Sequence, residues 1–198
     1  MTARWHVSLV GLLAAVLFWN GCSTTPTIQY RTVLPAQQAN HVTVTIREFN
    51  DSRQPFEKGA IGSVRNAYGL EMGMVAEPPE MLAHVAGALK AELINSGYDI
   101  VSSGDADFII SADVTTVTCD VGNTKSAQVK IKFQVRQTTD RLIENIYHGT
   151  GSDITFLGID CSKPLNEAIR NVMSQFVSDL NRYVAQHNDK SIPGTKET

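Results

Sequence analysis

Val42, Val44 and Ile46 alternate with Thr43, Thr45 and Arg47. That is the two-residue period of a strand with one buried face, and Asn50, Asp51, Ser52 and Arg53 end it. The same period returns where Phe108, Ile110, Ala112 and Val114 alternate with Ile109, Ser111 and Asp113. It returns again where Ala127, Val129, Ile131, Phe133 and Val135 alternate with Gln128, Lys130, Lys132, Gln134 and Arg136. These are two long strands of antiparallel type, each with a wet face. Thr138, Thr139 and Asp140 predict a turn into a third strand over residues 142–148. A 3.6-residue period replaces the alternation at Leu82, Val85, Ala86, Leu89 and Leu93. Pro78 and Pro79 open this helix and Gly97 stops it, and residues 98–101 lead back to the sheet. A second helix follows Pro164, with Leu165, Ile169, Val172, Met173, Phe176, Leu180, Tyr183 and Val184 along one stripe. The expected order is β-β-α-β-β-β-α. It implies an α+β fold, an antiparallel or mixed sheet of four to five strands with both helices packed on one face.

The ends of the chain follow other rules. Arg4 and His6 precede a 13-residue apolar run, residues 7–19, and the small residue Gly21 stands before Cys22. A spanning helix needs about 20 apolar residues, so this run reads as a secretion signal. A cysteine directly after such a signal is a lipidation site, and Cys22 is the expected acylated N-terminus. Trp19 and Asn20 depart from the usual Leu-Ala/Ser pair before the small residue. The polar, Pro-interrupted residues 22–40 predict a flexible tether, residues 41–185 a single domain, and residues 186–198, with Pro193 and Gly194, a disordered tail.

Charge and cysteine content narrow the compartment. The net charge is only −3 and is spread along the chain, so there is no basic footprint for nucleic acid. With Cys22 acylated, Cys119 and Cys161 remain, 42 residues apart. In an oxidising periplasm such a pair closes as a disulfide that stabilises by roughly a few kcal/mol. A metal site is the alternative, since Asp120 and Asp160 flank the two cysteines, but no CxxC or HxxxH spacing accompanies them.

The segment Ile61-Gly62-Ser63-Val64-Arg65-Asn66-Ala67-Tyr68-Gly69-Leu70-Glu71-Met72, followed by a helix and then by Ser96-Gly97-Tyr98, resembles the YajG-like family of bacterial lipoproteins. There a Val-Arg-Asn-x-x-Gly segment precedes the first helix, and a small residue, Gly and an aromatic residue close it. The element order is also similar to that of small periplasmic modules in TolB's N-terminal domain and in lipoproteins that activate penicillin-binding proteins or export curli. The resemblance implies a compartment and a fold rather than a reaction. Ser23 after the lipid cysteine implies the outer membrane where sorting reads that position.

Little in the chain suggests chemistry. His41, His84, His148 and His187 share no metal or triad spacing. Gly149, Thr150, Gly151, Ser152 and Asp153 are followed by Ile154 rather than by a helix, so a turn or bulge between strand segments is expected there instead of a nucleophile elbow. No cofactor or metal is expected. Residues 61–74 mix Arg, Tyr and Met in a Gly-rich setting suited to an interface. Val64, Tyr68 and Leu70 are expected to pack beneath the first helix. Arg65 and Asn66 do not belong in a core, and with Tyr68 they are the candidate partner contacts. Lys130, Lys132 and Arg136 share one strand face, either simply solvated or set against an anionic polymer such as peptidoglycan. The expectation is a non-enzymatic envelope adaptor, tethered by lipid, that binds another envelope protein. An oligomeric component of an export or appendage assembly is the second reading and an envelope hydrolase the third.

Overall fold

The computed structural model describes residues 22–36, 42–102, 106–137, 140–154 and 158–188. The signal peptide expected at residues 1–21 and the tail beyond residue 188 lie outside them. Eight strands form one sheet: β1 (Cys22–Thr24), β2 (Thr43–Asp51), β3 (Ala60–Arg65), β4 (Glu71–Ala76), β5 (Asp99–Ile100), β6 (Phe108–Val121), β7 (Lys125–Gln137) and β8 (Asp140–Asp153). Two helices, α1 (Met81–Asn95) and α2 (Ser162–Asn188), pack on each other and on the sheet.

The long strand β6 organises the sheet. Along one edge it pairs antiparallel with β7, which pairs in turn with β8. Along its other edge it carries two shorter groups, the parallel strand β2 with β5 beside it and the parallel strand β3 followed by β4 and β1. One residue keeps this strand in phase. Phe108, Ile110, Ala112 and Val114 are buried at even positions, but Val117, Cys119 and Val121 are buried at odd ones. The register jumps at Thr115, between Val114↔Ile131 and Thr116↔Lys130. This β-bulge turns the second half over, so that its apolar residues stay on the core side.

The α+β class and both helices match the sequence pattern, but the sheet is larger than four to five strands. Residues 60–76 form a hairpin, β3–β4, whose outer side is exposed and apolar, so no polar alternation marks it. Gly149 and Gly151, expected in a turn or bulge, stand inside the continuous strand β8, opposite Val129 and Ala127. They are small because α2 crosses them. A Cβ at Gly149 would lie 2.0 Å from the Ala168 carbonyl oxygen, and one at Gly151 2.0 Å from that of Pro164. Beyond this contact Phe133 stacks on Phe176 with ring centroids 4.0 Å apart, and Tyr147 meets both edge-on.

Residues 22–34 are no free tether. β1 is a parallel edge strand on β4. From there the chain crosses α2, where Thr27 N donates to Ser162 Oγ (2.7 Å) and Gln29 N to Asn166 Oδ1 (2.8 Å). It then reaches α1, where Glu92 accepts from Tyr30 Oη (2.6 Å) and Leu34 N (2.7 Å) and also receives Val33 N. Pro26 and Ile28 are the buried residues of this strap. Likewise α2 continues through residues 186–188, which were expected in the tail.

Candidate binding surface

The β3–β4 hairpin is positioned from its base. Gly62 lies so close to β6 that a Cβ there would fall 2.0 Å from the Cys119 carbonyl oxygen. Ser63 donates through both its N–H and its hydroxyl to Asp120 Oδ1 (3.1 and 3.2 Å). Behind the hairpin the buried Arg53 guanidinium joins Asp51, through Nε at 2.8 Å and Nη2 at 2.9 Å, to Glu77 just after β4. The second oxygen of Glu77 accepts Gly59 N (2.8 Å). Arg53 holds the Asp51 carboxyl below the usual carboxylate range, chiefly through the hydrogen bonds it donates. The hairpin is thereby tied to both β2 and β6.

Its tip is shaped by Asn66. The side-chain oxygen accepts from Tyr68 N and Leu70 N, both at 3.0 Å, and Gly69 adopts a positive φ of 80°. Asn66 therefore closes the turn with its amide, a use that requires Asn or Asp. Arg65 is exposed and donates from Nε to Ser63 Oγ (3.1 Å). Tyr68 and Leu70, expected beneath the first helix, instead stand 90% and 63% exposed, whereas Val64 is buried as expected. Val64 faces the core from β3, while the turn carries Tyr68 and Leu70 past the edge of the sheet. Met72 and Met74, alternate to the buried Val75, extend the apolar surface down β4. Arg65, Asn66 and Tyr68 thus lie together at one hairpin tip. Met72 and Met74, part of the interface-suited segment, are exposed with them, and so is Leu70, which was expected to pack.

Elsewhere the expected sites take quieter forms. Cys119 and Cys161 are joined as a disulfide, their Cα atoms 6.4 Å apart, tying β6 to the start of α2. Asp120 and Asp160, the flanking residues of the alternative metal site, each hold a serine. Asp160 Oδ1 accepts from Ser162 N (2.9 Å) and Oγ (2.6 Å), and Asp120 holds Ser63. Among the described residues no group of three His, Cys, Asp or Glu side chains is placed to hold a metal ion. Lys132 pairs with Glu144 at 2.6 Å, which divides the stripe formed with Lys130 and Arg136. A polar groove of about 500 Å³ between the outer side of the strap and the start of α2 is lined by Gln29, Arg31, Asp160, Lys163, Asn166 and Arg170. Lys163 there is neutralised by Asp153 at 3.0 Å. Among the described residues no helix is long and apolar enough to cross a membrane.

No protein-family model matches the chain, and no curated protein matches it in sequence. Several solved structures align with it. A Xanthomonas campestris protein described under the family model DUF330 superposes with a TM-score of 0.58 at 11% identity, over 85% of this chain and 99% of that one. A hypothetical protein from Chlamydia trachomatis gives a TM-score of 0.48 at 11% identity, over 73% and 99%. A lipoprotein from Neisseria meningitidis gives 0.35 at 8% identity, over 73% and 99%. The chain shares its fold with the first of these, the DUF330 protein of Xanthomonas campestris.

Proposed function

We propose that this chain is a lipid-anchored, periplasm-facing module of the bacterial envelope, acylated at Cys22, that works by binding rather than by catalysis. The carrying observation is the β3–β4 hairpin. It presents Tyr68, Leu70, Met72 and Met74 in one exposed run, beside the strand that begins at Cys22. Large contiguous apolar surface exposed on a folded domain marks a contact site. Arg65 and Tyr68 at the tip are the residues proposed to hold an envelope protein, with Asn66 fixing the turn that presents them. Confinement to a membrane raises the local concentration of the module, so a modest intrinsic affinity suffices. Ser23 favours the outer membrane, and the Val64-Arg65-Asn66 segment favours kinship with YajG-like lipoproteins. A peptidoglycan contact through Lys130, Lys132 and Arg136 is secondary, because Glu144 already partners Lys132.

Self-assembly is the second reading. Among the described strands β8 pairs only with β7, and α2 side chains cover its edge at His148, Thr150 and Ser152, which leaves the stretch before them, with Ile146 57% exposed. The uncovered part of such an edge is a template for another strand. Metabolic labelling with a palmitate analogue tests the anchor. Label is expected on the natural chain and absent from Cys22→Ser, and an unlabelled natural chain of full mature activity in envelope binding would overturn the reading.

A further inference from the structure

Four large apolar side chains, Tyr68, Leu70, Met72 and Met74, stand more than half exposed within seven residues of the hairpin. The start of the strap runs beside the β4 end of this run. β1 runs parallel to β4, with Cys22 opposite Gly73 and Ser23 opposite Met74. Neighbouring strands lie about 4.8 Å apart, so the backbone of Cys22 is beside β4 between the two methionines. From Cys22 the chain runs away from the hairpin tip, in the direction of β4, so the α-amino end of Cys22 is on the side of the tip. The following residues add no slack, because they are hydrogen-bonded to Ser162, Asn166 and Glu92.

We infer that the run Tyr68, Leu70, Met72 and Met74 seats in the lipid–water boundary of the membrane that holds Cys22. The inference rests on the anchoring reading above and adds what occupies the apolar stripe. A lipid on Cys22 has no linker by which to stand away from β4, so acyl chains and stripe share one depth. The side chains suit that boundary. Tyrosine rings settle at the headgroup level with the hydroxyl in water. Unbranched methionines conform to a disordered surface. Arg65, next to the turn, is exposed and able to reach lipid phosphates, and its cross-strand partner is Glu71. The domain is then held with its hairpin down and Tyr68 in the boundary, and any protein partner must meet it at the membrane surface.

Trp5 and Trp19 both precede Cys22, so the chain from Cys22 onward has no tryptophan and accepts a single reporter. Met72→Trp and Met74→Trp would each be purified as the full lipidated chain and placed in phosphatidylethanolamine–phosphatidylglycerol vesicles with brominated acyl chains. Ile146→Trp on β8, about 20 Å away across the sheet, serves as reference. Both hairpin reporters are expected to be quenched roughly twofold or more, the mark of a side chain about 5–10 Å into the boundary, with Ile146→Trp unaffected. Lipidated protein that fails to float with vesicles refutes the anchor and the seat together. Protein that floats, keeps its natural circular dichroism and shows hairpin reporters no more quenched than Ile146→Trp refutes the seat alone. Blue-shifted but unquenched reporters in a cross-linkable dimer would assign the stripe to a second copy and overturn the inference.

Discussion

Replacing Glu92 by alanine should free the strap. Glu92 is fully buried on α1, and its carboxylate receives Tyr30 Oη, Val33 N and Leu34 N, while Asn95 on the next turn donates to Leu34 O. Burial, and then the bond to Glu92, push the Tyr30 hydroxyl far above the ordinary phenol range, so it remains a protonated donor. A buried donor left without an acceptor costs about 1–3 kcal/mol. With three donors orphaned, the strap gains by leaving α1 and returning to water, so the loss is capped by the free energy of docking. A net loss of about 2–4 kcal/mol is expected, which lowers Tm by roughly 5–15 °C for a chain of this size. Arg31 lies exposed within the strap and supplies a local readout. If trypsin cleaves there only after the strap opens, 2 kcal/mol corresponds to about 30-fold faster cleavage under native conditions. Glu92→Gln, which retains one acceptor oxygen, should fall between the natural chain and alanine. Unchanged cleavage at Arg31, with Tm shifted by less than about 2 °C, would refute the lock.

Other consequences follow from the same contacts. Free-thiol labelling of the folded chain should find Cys119 and Cys161 unreactive, and the double alanine variant should lose about 4 kcal/mol in denaturant unfolding, the loop-entropy value for a 42-residue separation. Gly149→Ala or Gly151→Ala forces a Cβ into the backbone of α2, and a loss of about 1–3 kcal/mol or more is expected by thermal melting. The Arg53–Asp51 pairing sets an acid limb. Because the folded Asp51 carboxyl is held below its ordinary value, its contribution is fully present above the usual carboxylate range. It is lost as pH falls through the depressed value, and Asp51→Asn should flatten that part of the stability–pH curve.

The parts of the fold that were legible in the sequence are those whose one face is buried and whose other face is wet. The α2 stripe from Leu165 to Val184 and the alternations of β6 and β7 had that contrast. The rest lacked it for specific reasons. The bulge at Thr115 shifts the β6 alternation by one residue, so Val117 and Cys119 look out of phase with Val114 when read along one chain. The hairpin turn carries Tyr68 and Leu70 outward, which reverses the usual inference from large apolar residues to a core. Gly149 and Gly151 resemble turn residues unless the helix above them is known. The strap did leave a trace, since Pro26, Ile28 and Tyr30 alternate with Thr25, Thr27 and Gln29. A glutamate at position 92, on the apolar stripe between Leu89 and Leu93, was the second sign that something polar packs across α1. At the candidate site, Arg65, Asn66 and Tyr68 were recognisable by their composition, but the division of labour among them depends on the turn. Asn66 points back into the backbone, and only Arg65 and Tyr68 face outward.

The claim on which the account depends is that the hairpin makes its contacts because Cys22 holds it at a membrane. In-cell photocross-linking from a benzoylphenylalanine at position 68 tests it most directly, comparing the natural chain with Cys22→Ser. The account predicts lipid adducts, with or without one envelope protein beside them, in the anchored chain, lost when Cys22 is replaced and weakened by Arg65→Ala. Identical adducts from the unanchored chain, or none from the anchored one, would contradict it.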